Sequence, residues 1–392
     1  MYDLFTQNFK RSAHETFALM RQEAPIYAHT APNGGTSWYV TRYEDVLDVL
    51  KDNVNFCKDV HHASDRRRGS SIQQRINENM LFSDPPDHSR LRALVGQAFT
   101  PRRIEQMAPR IQEITDELLG SVSNPFDLIA RFALPLPVKV ICDLLGIPEV
   151  DQTAVMDGSQ AIISPGGKGL SSKIRRKKIR DFVTYLGQLF AKRRQVPQED
   201  MISALVQAEA AGEKLNEAEL SSMVALLLVT GYETTVNLFG NGALALLQNP
   251  EQLEMVLADE TLWETAVEEL LRFDGPVETS TTRWVRQDIQ YKGHQMKRGD
   301  IMRVVLASAN RDDSKFNSPQ RLDLTREENR HLAFGFGIHY CLGAPLARLE
   351  GVIGLKTLFK RYPNLTLDCH INELQWRLGV LFRGLERLPL RW

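Results

Sequence analysis

The sequence predicts a mainly α-helical protein with a minor β component, and two observations favour this class. From Asp87 to about Asn249, apolar residues recur at helical spacing, and proline and glycine punctuate the segment. Strand-like segments concentrate near the two ends, in residues 1–56 and 364–392. The 392 residues contain no internal repeat and no low-complexity linker. We therefore expect a single domain over residues 1–392.

The N-terminal part mixes a short helix with strands, of which Ser37–Tyr43 (SWYVTRY) is the clearest. The longest helix is expected from Asn216 to about Gln248, because Asn216 followed by Glu219 is typical of a helix N-terminal cap. At about 1.5 Å per residue, such a helix spans roughly 50 Å, which is enough to cross the molecule.

Strand signals return in the second half of the chain, at Thr281–Gln290 and at Ile301–Leu306. A long stretch without periodicity follows, from Asp312 to Tyr340. Loops of this length inside a compact domain usually have a function. The next segment, GAPLARLEGVIGLKTLFKRY, has helical apolar spacing and carries Pro345 near its first turn, where proline is tolerated.

Composition and charge exclude several classes of protein. The net charge is -1, which does not point to nucleic acid, and 25% charged with 43% hydrophobic residues is ordinary for a soluble globule. The four cysteines form no C-x-x-C pair, which favours a reducing cytoplasm. The N-terminal segment MYDLFTQNFKRSAHETF has no long apolar run, so we expect neither a signal peptide nor a membrane anchor.

Two basic clusters interrupt this balanced composition. Lys173–Arg180 (KIRRKKIR) fits either a membrane or nucleic-acid contact or one solvated helix face, and we favour the solvated face. Arg66–Arg68 lies in a predicted loop, where it would either meet an acidic substrate or be exposed to solvent, and we favour exposure.

The segment FGFGIHYCLG, residues 334–343, carries the most functional information. Cys341 lies among Gly335, Gly337 and Gly343, and glycine permits turns and a close approach of the backbone to a flat ligand. The predicted helix follows, and exposed N–H groups and the helix dipole favour a thiolate at a helix N-terminus. A lone cysteine is more commonly a small apolar filler. The whole pattern instead favours a haem iron held by the Cys341 thiolate.

The middle of the predicted long helix, TGYETTVN, places polar residues in an apolar context, where they are costly unless partnered or used. Gly231 costs about 1 kcal/mol relative to alanine, which suits a position where something large lies against the helix. Glu233 and Thr234 form an acid–alcohol pair, which suits proton delivery. A helix kink with threonines bonded to backbone carbonyls explains this segment equally well.

The pattern F-x-x-G-x-x-x-C-x-G around Cys341, with other motifs in order from about Pro85 to Arg348, resembles the cytochrome P450 family. The resemblance implies the cytochrome P450 fold, in which haem b lies between the long central helix and the helix after Cys341. It also implies that Cys341 is the axial ligand of the haem iron. Glu233 and Thr234 match the family's oxygen-activating pair. Thr230 departs from the family pattern, which has alanine or glycine there, and its hydroxyl would be able to touch oxygen or substrate.

The same resemblance implies a monooxygenase that inserts one atom of O2 into a small, mainly apolar substrate by hydroxylation or epoxidation. Four residues match the family's donors to the haem propionates, whose buried charges need such partners: His88, Arg92, Arg283 and His339. Phe334 is expected to pack against the sulfur side of the haem and to shield the thiolate.

Glu269 and Arg272 form an E-x-x-R pair in the apolar context TAVEELLRF, and a buried pair needs further hydrogen bonds. Arg321, in the F-x-x-P-x-R segment that begins at Phe316, offers a second guanidinium. The resemblance implies that the three side chains form a Glu–Arg–Arg triad that fixes the loop behind the haem. We assign them a structural role.

No G-x-G-x-x-G motif follows a predicted strand, so we expect electrons from NAD(P)H through a separate ferredoxin or flavodoxin and its reductase. Arg102, Arg103 and Arg348 are expected to contact that partner. We also expect a cytoplasmic monomer with no nucleic-acid or membrane contact. The expected pocket comprises four segments, around residues 58–82, 164–169, 277–282 and 381–382. They leave steroids, fatty acids, terpenes and polyketide precursors open as substrates.

Three other functions are compatible with a cysteine-bound haem. A peroxide-driven member of the family, or a haem-thiolate isomerase or dehydratase, would need no acid–alcohol pair. A non-enzymatic haem sensor would need neither that pair nor an electron partner. Glu233 and Thr234 therefore favour the monooxygenase.

Overall fold

A computed structural model describes residues 2–31, 35–65, 79–163, 172–210 and 212–392. The chain divides into two compact units. The first unit comprises Met1–Cys57, Ala108–Leu136 and Thr234–Trp392, and the second comprises Lys58–Met107 and Pro137–Glu233. The organisation as a single domain over residues 1–392 stays a prediction. The Arg66–Arg68 cluster and the predicted 164–169 turn lie outside the described residues.

Helices dominate the described part of the chain, which confirms the mainly α class with minor β. They are α1 (Gln7–Arg11), α2 (Ala13–Glu23), α3 (Tyr43–Lys51), α4 (Asp87–Ala98), α5 (Pro101–Glu105), α6 (Ala108–Gly120), α7 (Pro135–Leu145), α8 (Glu149–Ile163), α9 (Ser172–Gln195), α10 (Met201–Gln207), α11 (Glu217–Leu247), α12 (Pro250–Ala258), α13 (Trp263–Asp274), α14 (Leu306–Ala309) and α15 (Ala344–Arg361).

The long helix α11 begins at the predicted cap. The Asn216 side-chain oxygen accepts hydrogen bonds from the N–H groups of Ala218 and Glu219, both at 3.0 Å. The Glu219 carboxylate in turn accepts the N–H of Asn216 at 2.9 Å, which completes a capping box. By length and composition α11 would be able to cross a membrane, but 67% of its most apolar window is buried, as in the core helix of a soluble protein.

The largest sheet in the described residues lies entirely in the first unit and has five strands: β1 (Ile26–Thr30), β2 (Thr36–Val40), β3 (Phe56–Cys57), β7 (Arg283–Val285) and β10 (Ile301–Val304). Their order across the sheet is β1-β2-β10-β7-β3. Strands β2 and β10 run parallel, and the other neighbouring pairs are antiparallel. The shorter strands are β4 (Phe126–Asp127), β5 (Glu209–Ala210), β6 (Glu213–Lys214), β8 (Ile289–Tyr291), β9 (His294–Met296), β11 (Thr366–Leu367) and β12 (Pro389–Arg391).

Helix α3 packs its apolar face against this sheet, where Val46 and Val49 join Phe56, Met302 and Val304 in one buried cluster. Burial of aliphatic and aromatic side chains of this kind is the main source of fold stability. The cluster joins the sheet to α3, and Leu50 of α3 in turn lies against Gly337 in the loop that carries Cys341 (residues 334–343, the cysteine loop).

The predicted strand limits are wrong in three places. The strand expected over Ser37–Tyr43 ends at Val40, because Tyr43 begins α3 and its N–H donates to the Asp312 carboxylate at 2.7 Å. The segment 281–290 is divided between β7 and the start of β8, and the strand expected over 301–306 ends at Val304.

Candidate functional site

The stretch from Asp312 to Tyr340 is irregular, as predicted, apart from a 3₁₀ turn at Gly337–His339. Within it, Gly335 and Gly337 adopt φ values of 71° and 75°, which side chains rarely tolerate. A Cβ on Gly337 would also stand 3.0 Å from the carbonyl oxygen of Leu50 in α3. Glycine is therefore required at position 337 both by conformation and by the close approach of α3.

Cys341 closes this loop directly ahead of α15. Its N–H donates to the carbonyl oxygen of Phe334 at 3.0 Å, and its side chain is exposed. Gly343 is the N-cap of α15 with φ -79°, so it needs no left-handed conformation, and Pro345 lies in the first turn as predicted. The sulfur thus precedes a helix N-terminus, where the helix dipole favours an anion.

Arg348 on α15 holds both ends of the cysteine loop. Its guanidinium donates to the two Glu268 carboxylate oxygens at 2.6 and 2.8 Å, and it stacks over the Phe334 ring at 4.6 Å. It also reaches the Tyr340 hydroxyl at 3.3 Å. Burial acts to raise the pKa of Glu268, but hydrogen bonds from Arg348 and His331 outweigh it and lower that pKa to about 2. This pair was not predictable from sequence, because Glu268 is 80 residues from Arg348.

The side chains of Glu269 and Arg272 are fully buried. Arg272 donates to both carboxylate oxygens, at 2.7 and 2.8 Å, and its remaining donors bind the carbonyl oxygens of Asn310, Pro319 and Arg321. This confirms the expected burial of the pair and shows the further hydrogen bonds that such a pair requires.

The second guanidinium on Glu269 belongs to Arg326, whose Nε lies 3.1 Å from the carboxylate. The prediction that the Arg321 side chain would occupy this place is wrong. Arg321 is exposed and contributes its carbonyl oxygen to Arg272. The backbone turns after Asp323, whose N–H also donates to Glu269, and this turn brings Arg326 inward. Only the folded path of the loop distinguishes the two arginines.

Four further predicted residues lie in the first unit. Arg283 in β7 is buried, and its guanidinium donates to the Ser280 hydroxyl at 3.2 Å. His339 ends the 3₁₀ turn two residues before the cysteine, and Phe334 lies under Arg348. Thr234 lies in α11, half-buried.

The remaining predicted residues belong to the second unit. His88 and Arg92 lie one turn apart on α4, and His88 is buried. Burial lowers the pKa of His88, and the charge of Arg92 lowers it further. At Gly231, the large neighbour is the Ile141 side chain, 3.0 Å from where a Cβ would stand. A contact of Gly231 with the haem stays a prediction.

The hydroxyl of Thr230 donates to the carbonyl oxygen of Leu226 at 2.7 Å, one turn earlier in α11. This is the back-bonding to a helix carbonyl that serine and threonine often make. Thr230 therefore bonds to the helix backbone, which is the structural explanation of this segment. Glu233 is half-buried and lies in the turn that follows.

Helices α11 and α15 pack side by side within the first unit. A Cβ on Gly351 would lie 3.2 Å from Leu238, and one on Gly242 would lie 3.3 Å from Leu355. Both contacts advance by four residues, so the helices run in the same direction. Thr234 lies one turn before Leu238, and Cys341 lies ahead of α15. Thr234 and Cys341 therefore lie toward the same end of this helix pair.

These residues fit a haem held through sulfur. An exposed cysteine at a helix N-terminus is a suitable thiolate ligand, and a buried guanidinium at Arg283 is a suitable partner for a propionate. Within the described residues, no group of three or more His, Cys, Asp and Glu side chains is arranged to hold a metal ion.

Comparisons with known proteins agree with this geometry. The family model described as "Cytochrome P450" matches residues 170–368. The polyketide biosynthesis cytochrome P450 PksS of Bacillus subtilis (strain 168) is 42% identical, over 99% of this chain and 98% of the relative. Its solved structure superposes with a TM-score of 0.93 and 41% identity, covering 100% of this chain and 99% of that one.

Two further relatives have names that state a reaction. The cytochrome P450 monooxygenase PikC of Streptomyces venezuelae is 41% identical, over 98% of this chain and 92% of the relative. The 6-deoxyerythronolide B hydroxylase of Saccharopolyspora erythraea is 36% identical, over 99% of this chain and 98% of the relative. Identity at this level over the full length shows common fold, cofactor and reaction class. This chain belongs to the cytochrome P450 family and is an oxygenating, haem-thiolate oxidoreductase.

Proposed function

We propose that this enzyme inserts one atom of O2 into a mainly apolar, polyketide-derived substrate by hydroxylation or epoxidation. The substrate class rests on the similarity to PksS and to the 6-deoxyerythronolide B hydroxylase. The observation that carries the reaction is the position of Cys341, exposed and directly ahead of α15. When bound, the haem supplies dioxygen reduction and the transfer of oxygen to a C–H or C=C bond.

The protein's first task is to hold the haem. We assign Cys341 as the axial ligand, and Arg283, His339, His88 and Arg92 as donors to the propionates. Burial of Arg283 and His88 supports this assignment, because buried donors form strong bonds with carboxylates. Phe334 shields the sulfur, and Arg348 fixes its ring by stacking over it.

The second task is to deliver protons. We assign Thr234 as the hydroxyl that donates a proton to the reacting oxygen, and Glu233 as the carboxylate that passes protons from solvent. Glu233 and Thr234 are consecutive in α11, and both are half-buried, which suits a relay between solvent and a closed site. Thr230 takes no part, because its hydroxyl donates to the backbone.

The third task is to accept electrons. We propose a separate ferredoxin or flavodoxin with an NAD(P)H-dependent reductase, and contacts with this partner at Arg102, Arg103 and Arg348. Arg102 is exposed, whereas Arg103 also bonds to the Ala98 carbonyl oxygen at 2.7 Å. Substitution of Arg102 by Glu is therefore the cleanest test. It is expected to slow haem reduction without weakening substrate binding, and unchanged reduction would refute this contact. We propose that the enzyme works as a cytoplasmic monomer.

Turnover assays test the proposed reaction. The haem-loaded enzyme is supplied with NADPH, a surrogate ferredoxin and its reductase, ¹⁸O2, and 6-deoxyerythronolide B as probe, with myristic acid as a second probe. We expect a product that carries one ¹⁸O atom and requires every electron-transfer component. Turnover with hydrogen peroxide alone would favour the peroxide-driven alternative. An isomerised or dehydrated product that carries no ¹⁸O would favour the isomerase or dehydratase. Haem binding without conversion of either probe would favour the non-enzymatic haem sensor.

A further inference from the structure

Lys10 is a fully buried lysine in the short N-terminal helix α1. Its ammonium lies 2.7 Å from the Glu278 carboxylate, whose side chain is 2% exposed. It also donates to the carbonyl oxygen of Phe382 at 3.3 Å. One charged group thus bonds two chain segments that are more than 100 positions apart, and nothing in the proposed reaction uses it.

The two segments, 276–282 and 380–384, are also bonded directly to each other. The N–H of Glu278 donates to the Leu381 carbonyl oxygen at 2.8 Å, and the Thr279 hydroxyl donates to that of Val380 at 2.8 Å. Val277 and Phe382 form an isolated antiparallel bridge. Lys10 lies where these bonds meet, and it adds a side-chain contact to each segment.

Arg383 also bonds to α1. Its guanidinium donates to the carbonyl oxygen of Lys10 at 2.7 Å and to the Asp274 carboxylate at 2.5 Å, and it stacks over the Trp376 ring at 3.9 Å. Helix α1 therefore binds the 380–384 segment through both the side chain and the backbone of Lys10. Lys10 and Arg383 thus each pair with a carboxylate, Glu278 and Asp274 respectively.

Helix α11 also contacts the 380–384 segment. The Asn241 amide donates to the Arg383 carbonyl oxygen at 3.0 Å, and Asn237 packs so closely on Gly384 that a Cβ there would overlap it. Asn237 lies one helical turn after Thr234. The segment is therefore fixed against the helix that carries the proposed proton donor, one turn further along it.

The 276–282 segment leads directly into Arg283, the proposed propionate donor. The Arg283 guanidinium donates to the Ser280 hydroxyl at 3.2 Å. A shift at Glu278 would therefore move this donor as well. Both segments that Lys10 joins are thus continuous with residues of the proposed site, one through the chain and one through α11.

A buried ion pair of this kind is weak evidence for stability, because desolvation offsets most of the attraction between the charges. Burial lowers the pKa of Lys10 and raises that of Glu278, and the attraction between the two groups opposes both shifts. Retaining a buried charge is more readily explained by the specific geometry that it imposes.

We propose that Lys10 is a positioning residue, whose ammonium fixes the spacing between segments 276–282 and 380–384. These segments contain two of the predicted pocket segments, 277–282 and 381–382, so their spacing sets the shape of the proposed substrate pocket. This inference rests on the proposed haem site. Lys10 would then influence which molecules fit against the haem, although it lies outside the pocket. The expected loss on substitution is one of pocket shape, since Lys10 itself touches neither haem nor substrate.

Two azole probes separate pocket shape from iron binding. Imidazole binds the iron with little contact elsewhere, whereas 4-phenylimidazole carries a ring that must fit the pocket. In the ferric holoenzyme, Lys10→Met is expected to raise the Kd of 4-phenylimidazole by about fivefold or more. The Kd of imidazole should stay within about twofold of the wild-type value. Hydrogen exchange at the amides of 276–282 and 380–384 is expected to accelerate by about tenfold. Unchanged affinity and unchanged exchange would overturn the proposal.

Two further variants separate positioning from general destabilisation. In Lys10→Met/Glu278→Leu, apolar packing is expected to restore the unfolding midpoint, because no uncompensated carboxylate remains. The affinity of this double variant for 4-phenylimidazole should stay low. If the affinity recovers together with the unfolding midpoint, the role of Lys10 is merely structural. Arg21→Met is the matched control, since Arg21 is a buried cation of α2 that binds the carbonyl oxygens of Ser308 and Arg311. It should lower stability and leave the two azole affinities unchanged.

These measurements distinguish failure of the Lys10 positioning role from failure of the proposed function. A wild-type protein that binds neither azole would refute the haem site, and hydrogen exchange would then decide the role of Lys10 by itself. If the wild type binds both azoles and Lys10→Met binds them with the same affinities and shows unchanged hydrogen exchange, only the positioning role is refuted.

Discussion

The Nε atom of Arg326 lies 3.1 Å from the carboxylate of Glu269, a side chain that is fully buried. Glu269 also accepts hydrogen bonds from Arg272, Asn329 and the N–H of Asp323. One carboxylate of α13 thereby holds the irregular stretch that leads to the cysteine. Its neighbour Glu268 holds the cysteine loop itself through Arg348. Two consecutive acids thus fix successive parts of the same loop.

This arrangement predicts different effects at the two arginines of the loop. Arg326→Met should destabilise the holoenzyme by about 1–3 kcal/mol, because it removes a donor from a buried carboxylate. Arg321→Met should change stability by no more than about 0.5 kcal/mol, because its side chain is exposed and its carbonyl oxygen remains. Urea unfolding, followed by haem absorption and circular dichroism, measures both. A larger loss at Arg321 would contradict the observed triad.

The acid–alcohol segment offers a second matched pair of substitutions. Thr234→Ala should lower product formed per NADPH consumed, with a loss in the proton-transfer step of about 10²-fold or more, and should release peroxide instead. Thr230→Ala should keep near-normal coupling, because the Thr230 hydroxyl is already bonded to the Leu226 carbonyl oxygen. Product, peroxide and NADPH are measured in parallel. Equal uncoupling in both variants would remove Thr234 from its proposed role.

Acid should weaken the anchor of the cysteine loop in a defined range. The pKa of Glu268 is lowered to about 2 from 4.5, so the unfolded chain binds this proton at higher pH than the native protein. The stabilisation is therefore complete above the ordinary pKa and is lost as the pH falls from 4.5 toward 2. The difference in unfolding free energy between wild type and Glu268→Gln should shrink across this range. A difference that is constant with pH would contradict this linkage.

The helices and the cysteine loop were predictable from sequence because their signals are local. The cap at Asn216 and Glu219, the proline at 345 and the apolar periodicity all act within a few residues. The end of the strand at Val40 was not predictable in this way. The helix that follows begins at Tyr43, where the N–H is bonded to Asp312, 269 positions away.

The same distinction explains the site. Cys341, Glu269 and Arg272 stand in short motifs whose spacing limits their chemistry. The choice of Arg326 over Arg321, and the pairing of Arg348 with Glu268, depend on how an irregular loop folds back on α13. No periodicity in the sequence encodes such a path. The Lys10 contacts also join segments that are distant in sequence and close only after folding.

Cys341 is proposed to supply the thiolate that binds the haem iron, and one absorption measurement tests this assignment most directly. The reduced carbon-monoxide adduct of the wild-type enzyme should show the band from which the family takes its name. Cys341→Ser should lose that band, whereas Cys369→Ser, the matched control at a partly exposed cysteine, should retain it in full. A wild type without the band, or a Cys341→Ser variant that keeps it, would contradict the assignment.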